Sequence, residues 1–207
     1  MAIRHVLLDA DGVLQSLPGG WLAAVEPFLG DGSAEFLEQS WADELPALRG
    51  EGDFLVELDR AVQRRGLDLD VETFYAAVWN AIEVSPETVG LVHRLRDAGY
   101  GVHLATNQER YRAAYMRGPL GYDDLFDVSC YSCDLGAVKP EAAYFARALR
   151  LVGAPAGDAV LVDDNLANVE GARAAGLAAV HWDLTQGMTA LRSSLAELGV
   201  RVDGPGD

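Results

Sequence analysis

Beyond residue 86 the chain alternates short apolar runs with stretches of helical period, and few architectures accommodate that pattern. Gly101 to Ala105, Asp127 to Cys130, Ala159 to Val162 and Ala178 to His181 read as strands. Between and after them, Gln108 to Met116, Glu141 to Val152, Ala167 to Ala175 and Met188 to Leu198 read as helices. A helix also opens at Ser85-Pro86, carries Val89, Val92 and Leu95 on one face, and closes at Gly99. With Ile3 to Leu8 as a further buried strand, the β/α alternation predicts an α/β fold. Its form is a doubly wound, mostly parallel sheet covered by helices on both faces.

Residues 15–85 break the alternation. Four helix-like segments follow one another there without a strand: Trp21 to Leu29, Ala34 to Leu48, Phe54 to Arg65 and Val71 to Ile82. Glycine-rich punctuation at Gly30-Asp31-Gly32, Gly50-Glu51-Gly52 and Gly66-Leu67-Asp68 separates them. The expected organisation is therefore a core made of residues 1–14 and 86–207, with residues 15–85 inserted as a helical cap. Hinges are expected near Leu14 to Pro18 and Val84 to Pro86. The tail from Asp203 to Asp207 reads as disordered.

A hydrophobic content of 50% over 207 residues supports a sizeable core, and a formal charge of −16 disfavours nucleic acid and anionic membranes. No apolar stretch is long enough to span a bilayer, and no secretory leader pattern precedes the first strand. With two cysteines expected as free thiols, the chain reads as cytoplasmic. Cys130 and Cys133 form a lone Cys-x-x-Cys in a stretch that reads as loop, and no second pair completes a zinc site. His5, His93, His103 and His181 are scattered and read as structural or surface residues.

Ligands of open parallel sheets bind beyond the C-terminal strand ends. Those positions hold Asp9 and Asp11 followed by Gly12, then Thr106-Asn107 and Asp163-Asp164-Asn165, while Lys139-Pro140 precedes the helix starting near Glu141. Two carboxylates as close as Asp9 and Asp11 repel unless a cation or shared proton offsets them, which indicates either a metal or an acid/base pair. One sheet edge would gather four carboxylates, a hydroxyl, an ammonium and several helix N-termini. That mixture suits a metal-bound phosphate.

The segments LLDADGVL, LATN, VKP and LVDDNLANVEGARAAG resemble, in order, the four motifs of the haloacid-dehalogenase-like (HAD) phosphohydrolase superfamily. The stretch from Tyr131 to Trp182 is also similar to bacterial glucose-1-phosphate phosphatases of that superfamily. The resemblance implies a Rossmann-like core, an inserted helical cap, and a Mg²⁺-dependent phosphatase acting on a small phosphomonoester. It makes Asp9 the nucleophile that forms an aspartyl-phosphate, and Asp11 the acid and base. Thr106 and the Asn107 backbone N–H would hold phosphoryl oxygens while Lys139 neutralises charge. Asp9, the Asp11 carbonyl and Asp164 would bind Mg²⁺, with Asp163 either an inner ligand or a water-mediated partner. Asn168 and Gly171 would support the acidic loop. A phosphomutase, a haloacid dehalogenase and a non-enzymatic binding protein are the alternatives. Asp11 and the Asp163-Asp164 pair weigh against the dehalogenase, which needs neither a metal nor the second aspartate. No motif aligns within the cap, where Ser16 to Trp21 are the expected substrate-facing residues.

Overall fold

The computed structural model describes residues 2–202, so the expectation for residues 203–207 lies outside it. In chain order, β1 (His5–Leu8) leads to the two-residue β2 (Gln15–Ser16). Helices α1 (Gly20–Leu29), α2 (Ser33–Leu48), α3 (Phe54–Arg64) and α4 (Val71–Val78) follow, then β3 (Glu83–Val84). The remainder is α5 (Pro86–Asp97), β4 (Gly101–Thr106), α6 (Arg110–Arg117), α7 (Tyr122–Leu125), β5 (Val128–Tyr131), α8 (Ser132–Leu135) and α9 (Ala142–Val152). It closes with β6 (Ala159–Asp163), α10 (Leu166–Ala174), β7 (Ala178–His181) and α11 (Gly187–Glu197).

Five strands form one parallel sheet in the order β5-β4-β1-β6-β7, with β1 at its centre. Because side chains alternate across a strand, Val6 and Leu8 of β1 face one apolar layer and Leu7 the other. The first layer joins Val102, Leu104, Val160 and Val162 to Leu91 and Leu95 of α5 and to Leu191 and Leu195 of α11. The second joins Leu7, Ala105 and Leu161 to Tyr144, Phe145 and Ala148 of α9 and to Val169 and Ala172 of α10. Burial on both faces is why these strands read as continuous apolar runs rather than alternating ones.

The helices of 20–78 bury a third apolar cluster, built around Phe36, Leu58, Val62, Phe74 and Trp79. Asp53 and Asp70 start α3 and α4 by accepting the backbone N–H of Leu55 and Thr73. The all-helical reading of 15–85 needs one correction: β2 and β3 pair antiparallel, Gln15 with Val84 and Ser16 with Glu83. Strands this short carry no usable period. They clip together the two chain passages that enter and leave the helical segment. The expected helix from Val71 to Ile82 stops at Val78 so that Glu83 and Val84 can reach that clip. The loop expected around Asp134 contains the single turn α8, which includes Cys133. Cys130 and Cys133 are free thiols, pushed up by burial to about 12 and about 11, so neither is poised as a thiolate.

The helical layer lies against α6, α8 and α9. Arg49 pairs with Glu141, the Tyr75 hydroxyl donates to Glu109, and Arg112 Nε donates to the Trp79 carbonyl at 2.7 Å. Gly50 approaches so closely that a Cβ there would stand 2.3 Å from the Cys133 carbonyl oxygen.

Candidate active site

The four strand-end motifs meet at one edge of the sheet. Asp9 continues β1 by donating its N–H to the Val162 carbonyl at 3.0 Å, which fixes its side chain beside the end of β6. Its Oδ2 lies 2.9 Å from Lys139 Nζ. The same ammonium donates to Asp163 Oδ2 at 2.6 Å and to the Ala105 carbonyl at 2.8 Å, so all three of its donors are used. Asn107 fixes this lysine by its backbone: its Oδ1 accepts the Lys139 N–H at 2.8 Å and its Nδ2 donates to the Lys139 carbonyl at 3.0 Å. Thr106 is buried at the end of β4, and its hydroxyl accepts from Gln108 Nε2 at 3.0 Å.

Asp163 and Asp164 have different surroundings. Asp163 is fully buried, and its Oδ1 accepts from the Asn165 N–H at 2.9 Å and from Asn168 Nδ2 at 3.0 Å. Both of its oxygens are thus committed to neighbouring residues. Asp164 is exposed, and among the described residues no side chain donates to its carboxylate. It packs on Gly12, where a Cβ would stand 2.3 Å from Asp164 Oδ2; the backbone there has φ +73°, so glycine satisfies both demands. Gly171 likewise admits the Pro140 carbonyl, which a Cβ would meet at 2.6 Å. Asn168 thus supports the acidic loop, whereas Gly171 makes room for the loop that carries Lys139.

Ligand oxygens of Asp9, Asp163 and Asp164 lie within 4.8 Å of one another. Burial raises Asp9 well above the usual carboxylate range, against the Lys139 charge and with help from Asp163. Burial disfavours the Lys139 ammonium too, but the flanking Asp9 and Asp163 carboxylates outweigh it and hold the lysine above its usual range. Asp164, although exposed along one side, is pushed up to about 6 by partial desolvation against the neighbouring loops and by the Asp163 charge. An all-oxygen donor set with a single ammonium for three carboxylates fits a hard divalent cation such as Mg²⁺.

Asp11 sits differently from the expectation of a free acid. Arg112 grips it with two nitrogens, Nη2 reaching Oδ1 at 2.8 Å and Nη1 reaching Oδ2 at 2.5 Å. Gln15 Nε2 donates to Oδ1 at 2.9 Å and Gln108 Nε2 to Oδ2 at 2.8 Å. Burial works against the charge of Asp11, yet Arg112 and the two amides hold its carboxyl below the usual range. Arg112 is itself positioned by Glu109, the residue preceding α6, which accepts the Arg112 N–H at 2.7 Å and caps that helix. Gln15, Gln108, Glu109 and Arg112 were not among the sequence-derived candidates. The available signal was Gln108 and Arg112 at i, i+4 just behind the Thr106-Asn107 strand end. Of the expected cap residues, Trp21 stacks its ring 5.2 Å from the Arg112 guanidinium. Of the histidines, His5 and His103 pair at 3.1 Å near the opposite strand ends, whereas His181 reaches the edge of the site and bonds the Asp164 carbonyl oxygen at 2.8 Å.

The sequence pattern of the haloacid dehalogenase-like hydrolases matches residues 3–176. The chain belongs to this family. Over 95 residues it is 34% identical to Pyrophosphatase PpaX of Bacillus cereus, a match covering 45% of the chain and 44% of that relative. Over 124 residues it is 26% identical to the ribulose-1,5-bisphosphate 5-phosphatase of Halopiger xanaduensis, covering 59% and 52% respectively. The chain therefore spans about half the length of these curated relatives. Among solved structures, the HAD family enzyme bt-2542 of Bacteroides thetaiotaomicron shares the fold with a TM-score of 0.78 at 18% identity. That superposition covers 92% of this chain and 98% of that one. A further structure of bt-2542 holds magnesium and inorganic phosphate.

Glu44 of α2 also faces this HAD core, within electrostatic reach of Asp11, Glu109 and Arg112. Burial and the Glu109 charge push it up to about 8 from an ordinary 4.5. The unfolded chain would ionise this group near 4.5 and the folded chain only near 8. The contribution of Glu44 to stability should therefore be full below pH 4.5 and decline as pH rises toward 8. Glu44→Gln is expected to stabilise the fold by about 1–3 kcal/mol at alkaline pH and to change little in acid. Denaturant melts of both proteins across that range check this. Equal stability at every pH would show that Glu44 is not desolvated.

Proposed function

We propose that this protein is a Mg²⁺-dependent phosphatase of a small phosphomonoester, most consistent with a sugar phosphate. The single observation that carries the reading is Asp9 at 2.9 Å from Lys139 Nζ, with the Asp163-Asp164 pair beside it at the sheet edge. Two curated relatives bear phosphatase names, a pyrophosphatase and a ribulose-1,5-bisphosphate 5-phosphatase, and this supports the same reaction class here.

In this reading an Asp9 carboxylate oxygen attacks phosphorus, the bond from phosphorus to the leaving oxygen breaks, and an aspartyl-phosphate forms. Asp11 gives its proton to the departing alkoxide. It then takes a proton from the water that attacks phosphorus and frees Asp9. Thr106 and the Asn107 N–H bind phosphoryl oxygens, and Lys139 offsets charge on Asp9 and the phosphate. Asp9, Asp164 and the Asp11 carbonyl would hold the cation, with Asp163 serving chiefly to fix Lys139. When bound, Mg²⁺ would supply charge that offsets the phosphate dianion against this carboxylate cluster.

To act as an acid, Asp11 must leave the Arg112 grip and take up a proton from solvent before the ester bond breaks. Since Arg112 also donates to the Trp79 carbonyl of the helical layer, release of Asp11 and movement of that layer are coupled. Residues 15–85 are accordingly proposed as a lid over the site, moving about the passages that β2 and β3 clip together.

Phosphate release from a panel of phosphomonoesters should require Mg²⁺, vanish with chelator and return on its readdition. Asp164→Ala is expected to weaken metal binding, read by calorimetry, more than Asp163→Ala, because both Asp163 oxygens are already bonded within the protein. Metal-independent turnover would revive the dehalogenase reading instead.

A further inference from the structure

Helix α11 carries a basic feature that the catalytic edge does not use. Leu191 and Leu195 turn one stripe of this helix into the core. Thr189, Arg192, Ser193 and Ala196 share another stripe, at i, i+3, i+4 and i+7. With Val200, Arg201 and Val202 of the segment that follows, they line a cavity of about 330 Å³. Arg201 is fixed by its backbone, whose N–H donates to the Tyr100 hydroxyl at 3.1 Å. Tyr100 immediately precedes β4, so this end of the cavity lies at the strand ends opposite Thr106 and the catalytic edge.

The lining holds two guanidinium groups and two hydroxyls, and no carboxylate. In a chain with 32 acidic and 16 basic side chains, an arginine has an ample choice of partners. Yet among the described residues neither Arg192 nor Arg201 takes part in an ion pair. Arg192 Nε is also buried without a hydrogen-bond partner. An unmet buried donor is costly, the more so when charged, unless something outside the chain satisfies it. Charge balance then selects the ligand. Two guanidinium groups match a dianion, and their planar N–H forks fit the oxygens of a phosphate. Thr189 and Ser193 add hydroxyl donors. Ala196, Val200 and Val202 leave an apolar side for a small organic group, within a volume of metabolite size.

We propose that this cavity is a second anion site, separate from the catalytic edge, that takes the dianionic phosphate of a small organic phosphate between Arg192 and Arg201. No bond is made or broken there. The site does not depend on the phosphatase reading, because it would bind phosphate in a chain that hydrolyses nothing.

The test is a titration of the isotope-labelled full chain, followed by NMR, with inorganic phosphate and with glycerol 3-phosphate. Chelator, slightly alkaline pH and constant ionic strength are kept throughout. Without its cation the carboxylate-rich catalytic edge disfavours phosphate, so the α11 cavity is read alone. The backbone amides of Thr189, Ser193 and residues 200–202 should shift saturably, while those of Thr106 and Asn107 stay in place. Glycerol 3-phosphate should bind at least as tightly as inorganic phosphate, since its carbon chain meets the apolar side. Arg192→Gln and Arg201→Gln should each weaken binding by at least about tenfold, and the double variant should abolish it. Arg201 is exposed, so Arg201→Gln reads the site even if Arg192→Gln disturbs the fold. Inorganic phosphate binding more tightly than the ester would overturn the organic ligand. Absence of saturable shifts at the cavity, or unchanged binding by folded Arg201→Gln, would overturn the site itself, whatever the turnover assays show.

Discussion

Replacing Asp9 by asparagine is expected to reduce phosphate release by at least about a thousandfold, with the fold retained. The amide has nearly the same shape but no nucleophilic carboxylate oxygen. The position is anchored by backbone rather than by charge, since the Asp9 N–H bonds the Val162 carbonyl and β1 is the central strand. The substitution also removes one of two carboxylates around Lys139 while leaving Asp163 to hold it. A melting temperature close to that of the wild type, together with the lost turnover, separates chemistry from folding. Substantial turnover by purified Asp9→Asn would remove the nucleophile assignment.

Lys139→Met should damage both stability and catalysis. The ammonium is buried between Asp9 and Asp163, and removing it leaves two buried carboxylates without their cation. Breaking a buried pair from one side costs about 3–5 kcal/mol, because the remaining charge is desolvated and unpaired. The loss should shrink as pH falls: burial already raises the Asp9 carboxyl, and its protonation removes charge that the missing cation would have offset. Denaturant melts at neutral and acid pH read this directly. A pH-independent loss would mean that the side chain acts by packing alone. Since Lys139 is the only lysine of the sequence, an amine-selective reagent offers a second reading. Its side chain should react slowly in the folded protein and quickly after unfolding, and its modification should abolish turnover.

Much of the candidate site was legible in the sequence because its residues follow strands that are apolar throughout. Asp9, Thr106 and Asp163 each mark the place where such a run meets polar backbone, and parallel topology brings those ends together. Lys139 was legible only by its order among the other motifs, since it follows a turn and not a strand. What was hidden depends on tertiary approach. Arg112 reaches Asp11 across 101 residues of sequence, and its i, i+4 spacing from Gln108 behind the strand end is the one local feature that sets it apart from the surface arginines. Glu44 belongs to a helix whose composition is mixed, so a buried carboxylate there looks like one more solvated charge. The β2 and β3 pair escaped notice because two residues show no period, and the single turns α7 and α8 are too short for a helical one.

The proposed reaction passes a phosphoryl group through Asp9. The most direct measurement is rapid acid quench of the Mg²⁺-loaded enzyme during turnover of a hydrolysed ester, followed by mass spectrometry of the intact chain and its peptides. The expected result is a transient gain of one phosphoryl group, confined to the peptide that carries Asp9 and absent from Asp9→Asn. Turnover without any phosphoryl enzyme, or with the phosphoryl group on a residue other than Asp9, would contradict it.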